Sequence, residues 1–213
     1  QAADLPDVIE RISPGVVAVG TVTPHARLGM KKPAIAYTGT GFVVSSGNLV
    51  ITNYHVVNSR KLDVGKGERY AVFEGRGKQA KMRLASILRV DKEHDLAVLQ
   101  FQGAELPSLK LAPSHHWLRA GDEVALTGYP IGMVLGLYST THKGIISSIT
   151  PIVIPASNAR KLTAAQIKRL RAPFEVYQLD AIAFPGNSGS PVYSIETGKV
   201  VGVVNSVYVK GTK

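Results

Sequence analysis

The chain is broken into short β-branched runs separated by turn residues, and that rhythm restricts the available folds more than any single motif. Runs at 16–22, 41–45, 49–52, 70–73, 82–90 and 96–101 follow one another at the spacing of a barrel or sandwich. Ser46-Gly47-Asn48 lies between two of them as a hairpin turn. A polar, proline-containing connection spans 102–113, and the theme resumes at 123–126, 142–149, 176–179, 192–194 and 199–207. Two β-rich halves, 16–101 and 118–213, are therefore expected, joined near 102–117. Helical periodicity is confined to two places. Residues 5–12 place apolar side chains three and four apart behind Pro6 and stop before Pro14. Residues 163–171 begin with a capping box, Thr163 with Gln166, and end before Pro173. Residues 23–36, with Pro24, Gly29 and Pro33, read as a loop.

A chain of 213 residues, 45% apolar and 19% charged, can bury a core of its own. No apolar run approaches the ~18 residues of a membrane span. The absence of cysteine excludes disulfides, thiolate chemistry and cysteine-based zinc sites. It fits a bacterial envelope and an intracellular compartment equally well. The charge of +10 is uneven: no acidic residue occurs from Val124 to Phe174, where Lys143, Arg160, Lys161, Lys168, Arg169 and Arg171 lie. That basic span, 143–171, could meet a polyanion or an acidic partner, or be an ordinary solvated face. It has no interleaved aromatic residues of the kind that stack on nucleic-acid bases. The neighbours His115 and His116 have no carboxylate frame, and Gly39-Thr40-Gly41 lacks the helix of a dinucleotide loop, so neither a metal nor a cofactor is expected.

Chemistry gathers around Gly186-Asn187-Ser188-Gly189, a turn that presents one hydroxyl. Glycine on either side permits φ > 0 and close approach of a substrate carbonyl, and amides converging on one point can hold an oxyanion. A serine hydroxyl needs a base, and an imidazole base needs a carboxylate to fix its tautomer. Of the six histidines, His55 ends an apolar strand-like run, Thr52-Asn53-Tyr54-His55-Val56-Val57. Asp95 opens another, in His94-Asp95-Leu96-Ala97-Val98-Leu99. Each has a plainer reading, as a core histidine and a turn aspartate. Their order with Ser188 is that of one known solution to the His-Asp-Ser problem.

These segments, with Thr38-Gly39-Thr40-Gly41-Phe42-Val43-Val44 and Gly128-Tyr129-Pro130-Ile131-Gly132, resemble the trypsin-like serine proteases and more closely the HtrA/Deg group. The resemblance runs from about residue 5 to 207. It implies an all-β, chymotrypsin-like fold of two six-stranded antiparallel barrels with a short N-terminal helix, and a serine endopeptidase acting on polypeptides. On that pattern His55 is base then acid, Asp95 orients it and Ser188 attacks. The oxyanion turn is Gly186, Asn187 and Ser188, with the amides of Gly186 and Ser188 as donors. The substrate pocket is walled by Ile182, Ala183, Val204, Asn205 and Ser206. The resemblance also implies a homotrimer and a periplasmic or secreted location. It leads one to expect a last barrel strand and a PDZ module beyond this stretch, which holds neither.

The sequence also departs from these patterns. Asn187 is uncharged where digestive trypsins carry the acid that pairs with a new N-terminus, so control is expected in loop ordering, at Pro185-Gly186 and in the basic insertion 155–173. Ser190 stands in place of a second glycine, as in glutamyl endopeptidases, but no histidine follows Ser188 to bind a glutamate. Ile182 occupies the place of the carboxylate required for Lys or Arg, which points to cleavage after small or medium aliphatic residues. The competing reading is a silent protease-fold scaffold that binds peptides.

Overall fold

Val8 and Ile12, one turn apart, are both closed off from water, which makes Leu5–Ile12 an amphipathic helix (α1) laid against the sheet. Pro6 sits in its first turn, where its missing N–H costs nothing. The computed structural model describes residues 4–23, 34–59, 61–115, 117–130, 136–151 and 174–205. Six strands follow α1: β1 (Val16–Thr23), β2 (Ala34–Val44), β3 (Leu49–Asn53), β4 (Arg69–Glu74), β5 (Lys81–Asp91) and β6 (Leu96–Phe101). They close into an antiparallel barrel in the order β1-β2-β3-β6-β5-β4. Between β3 and β4 lies a helix of five residues, α2 (Tyr54–Asn58).

The second half holds β7 (Glu123–Gly128), β8 (Thr140–Pro151), β9 (Glu175–Asp180), β10 (Pro191–Ser194) and β11 (Val200–Val203). They form one antiparallel sheet in the order β11-β10-β7-β8-β9. Among the described residues this half therefore has the five strands read from the sequence, where the resemblance implies six, curled as a half-barrel rather than closed. The expected helix at 163–171 and all of the basic insertion 155–173 lie outside the described residues, as does Ser206.

Strand β1 explains how the halves are held together. Val17 and Val19 point into the barrel, among Val43, Val50, Val72 and Leu99. Val16, Ala18 and Val22 point the other way, into a cluster with Val8 and Ile12 of α1 and Tyr129, Tyr193 and Ile195 of the second half. With both faces covered, the strand opens on an unbroken apolar run, Val16-Val17-Ala18-Val19, and not an alternating one. A third cluster, Leu118, Val124, Leu126, Ile146, Val192 and Val204, fills the curl of the second sheet.

Two elements differ from the sequence reading, each through a contact distant in sequence. β2 begins at Ala34, inside the stretch read as a loop, because residues 34–37 pair with 20–23 of β1 beyond a bulge. The run ending in His55 is not extended to its end. β3 stops at Asn53, and His55 lies in α2.

The barrel core generates a stability prediction. Leu99 is completely buried, whereas Leu88 on β5 is largely exposed. Leu99→Ala should cost about 2–5 kcal/mol in urea unfolding, and Leu88→Ala less than about 0.5 kcal/mol.

Candidate active site

Three consecutive residues at the β3–α2 junction all bond to one residue, Asp95, in the turn before β6. Tyr54 N–H donates to the Asp95 carbonyl at 3.0 Å, and Asn53 Nδ2 donates to the same oxygen at 3.1 Å. The His55 backbone N–H donates to Asp95 Oδ1 at 2.8 Å, and His55 Nδ1 lies 2.6 Å from Oδ2. A carboxylate only accepts, so this contact places the proton on Nδ1 and leaves Nε2 as the free base. Asp95 has φ 55°, in the left-handed region that few residues other than glycine enter. Its carboxylate is 19% exposed and the imidazole 46%, so the pair is reachable from solvent and the imidazole more so than its partner.

The serine turn belongs to the second half but is fastened to β2 of the first. Thr40, wholly buried, is the fastening point. Its N–H donates to the Ser188 carbonyl at 2.9 Å, and its hydroxyl donates to the Gly186 carbonyl at 2.8 Å. The same hydroxyl accepts from Tyr129 N–H at 3.0 Å, and the Thr40 carbonyl accepts from Thr52 Oγ1 at 2.7 Å. Gly39, next to Thr40, shows how close the two sides come. A Cβ there would lie 2.7 Å from Val56 Cγ2 and 2.9 Å from the Ser188 carbonyl oxygen. Val56 follows His55 in α2, so the serine backbone and the turn that carries the imidazole both close on Gly39 of β2. Among the described residues no hydrogen bond joins Ser188 Oγ to His55.

Gly186 and Gly189, with φ 98° and 88°, supply the bends that a side chain would oppose. Asn187 N–H donates to the Phe184 carbonyl, Gly189 N–H to that of Val204, and Ser190 N–H to that of Asn187. The amides of Gly186 and Ser188 are left without a partner among the described residues. Two adjacent N–H groups beside a half-buried hydroxyl can receive an anionic oxygen. The Asn187 amide is spent inside the turn, and its side chain points inward.

Of the expected pocket residues, Ile182 is 66% exposed and Ala183 half-buried, while Val204 is buried in the core of the second sheet. His142 on β8 was not singled out by the sequence. Its ring lies 5.6 Å from that of Phe184, and burial lowers its pKa, favouring the neutral form. Neither it nor the Thr40 fastening has a signature in the residues themselves. Lys143, the first cation of the basic span, is paired with Glu123 at 2.6 Å. Among the described residues no group of three or more His, Cys, Asp or Glu is arranged to hold a metal.

Asn187 is fully buried with neither amide atom hydrogen-bonded, so an aspartate there would be an unpaired buried charge. Burial would raise the folded-state pKa of that carboxyl above its unfolded value. The penalty of Asn187→Asp should thus be small at acid pH and grow as pH rises past about 4, the unfolded carboxyl range. Asn187→Leu, which removes two unpaired polar atoms, should cost little at any pH. Thermal unfolding of both variants at acid and neutral pH checks this.

Residues 39–203 match the family described as the trypsin-like peptidase domain. A probable periplasmic serine endoprotease DegP-like protein of Hahella chejuensis is 30% identical over 98% of this chain and 44% of its own length. The human serine protease HTRA3 is 30% identical over 92% of this chain and 39% of its own. The crystal structure of Deg5 superposes with a TM-score of 0.66 at 25% identity, covering 94% of this chain and 83% of that one. The chain thus spans less than half the length of these curated relatives. With the closed barrel and the five-stranded sheet, these matches show that the chain belongs to the trypsin-like peptidase family, with its similarities on the HtrA/Deg side.

Proposed function

We propose that this chain is a serine endopeptidase domain that cleaves polypeptides through His55, Asp95 and Ser188. The observation that carries the reading is the 2.6 Å contact from His55 Nδ1 to Asp95, made on a turn that closes on Gly39 of β2 together with the Ser188 backbone. Asp95 fixes the tautomer that leaves Nε2 free to take the Ser188 proton. The serine oxygen then attacks the peptide carbonyl, and the tetrahedral oxyanion is received by the amides of Gly186 and Ser188. His55 returns the proton to the departing amine, leaving an acyl-enzyme that water hydrolyses by the same steps in reverse.

Specificity for small to medium aliphatic residues is supported by Ile182, which offers no charge to a bound Lys or Arg. The names of the bacterial relatives support a periplasmic setting; family resemblance supports unfolded or exposed segments as substrates and a homotrimeric assembly. A second reading, a resting form that requires a trigger, is favoured by one observation: no hydrogen bond runs from Ser188 Oγ to His55. Such bonds are often long in an empty site and tighten when substrate arrives.

A fluorophosphonate reagent should label the protein at one residue, and Ser188→Ala should abolish labelling. A folded sample that is not labelled even with a bound peptide would leave only the scaffold. A peptide library should be cut mainly after Val, Ala or Ile; dominant cleavage after Lys or Arg would reject the assignment of Ile182.

A further inference from the structure

Asn53 is completely buried, yet its side chain does not do what an asparagine in its position usually does. It precedes α2 as the N-cap residue, where a side-chain oxygen normally accepts a backbone N–H of the first turn. No such bond exists. The His55 N–H of that turn goes instead to Asp95 Oδ1, and the Asn53 amide nitrogen reaches across to the Asp95 carbonyl. Asn53 Oδ1 is left buried without a partner. Reversing the amide would set two oxygens against each other, so the carbonyl of Asp95 fixes the orientation. The side chain therefore leaves its own oxygen unpaired in order to hold a residue 42 positions away.

The residue it holds is strained. Asp95 has φ 55°, and its carbonyl already accepts from Tyr54 N–H. A second donor on the same oxygen is not needed to satisfy it, but it fixes the plane of that peptide. That plane sets the direction in which the Asp95 side chain leaves the backbone. With β3 and β6 paired Asn53 to Leu96, the clamp lies at the last rung of the ladder, where the main chain alone no longer sets the geometry.

We propose that Asn53 is a positioning residue: its buried amide clamps the Asp95 carbonyl in the left-handed conformation that aims the carboxylate at both His55 donors. This rests on the triad reading above and adds a residue to it that touches neither substrate nor imidazole. Stability and activity should therefore separate. Removing the amide leaves the Asp95 carbonyl satisfied by Tyr54 and abolishes one unpaired buried oxygen, so the fold loses little. The carboxylate, freed to turn, holds the imidazole less well.

The test uses Asn53→Leu, which fills the space without a donor, and Asn53→Ala as a second replacement. Both should lower kcat about tenfold to a hundredfold with KM little changed, while the urea midpoint stays near that of the parent. The same variants in a Ser188→Ala background, followed by NMR, should show the His55 Nδ1 proton, which lies in the bond to Asp95, broadened or moved upfield relative to Ser188→Ala alone. Variants that lose stability but keep the parent's kcat and His55 Nδ1 proton signal would overturn the proposal. A changed Nδ1 proton signal in a protein that never reacts with a fluorophosphonate would keep the clamp and sink the protease reading instead.

Discussion

The arrangement of this molecule depends on what Asp95 binds. Four hydrogen bonds converge on it from Asn53, Tyr54 and His55, two to the carbonyl and two to the carboxylate. They end β3, start α2 and set the imidazole in one orientation. Bonds to a carboxylate are stronger than those between neutral groups, which makes this junction stiff where the ladder runs out. A strained backbone at φ 55° is held where its neighbours over-determine it.

The two halves contribute different groups. The first barrel holds an imidazole oriented on its own framework. The second carries the Ser188 hydroxyl and two amides without partners among the described residues, on a turn that is exposed along 182–185 apart from half-buried Ala183. Thr40 keeps the two in register through the Ser188 and Gly186 carbonyls, and the cluster around Val16, Tyr129 and Tyr193 keeps the halves from sliding. The serine turn is thus tied down at its carbonyls while its amides at Gly186 and Ser188 remain available.

Much of this was legible in the residues. The apolar periodicity of Leu5–Ile12 gave the helix, and the hairpin around Gly47 gave the β2–β3 pairing. The motifs at His55 and Asp95 singled out two residues, 40 positions apart, that the fold brings into contact. What stayed hidden depends on contacts between distant segments. Nothing local shows that the strand ends at Asn53, because the bonds that end it come from a residue 40 positions on. Thr40 looks like any strand threonine until Gly186, 146 positions away, is beside it. Asn187 reads as a polar turn residue, yet it is wholly buried, because the turn folds inward against Gly128.

The most direct measurement is peptide hydrolysis by Asp95→Asn. The amide can keep the shape of the junction but presents the wrong group to Nδ1, so the imidazole is no longer held as a base. If Asp95 organises the site as described, kcat should fall by about four orders of magnitude with the fold intact. A variant that hydrolyses peptides as fast as the parent would contradict the account.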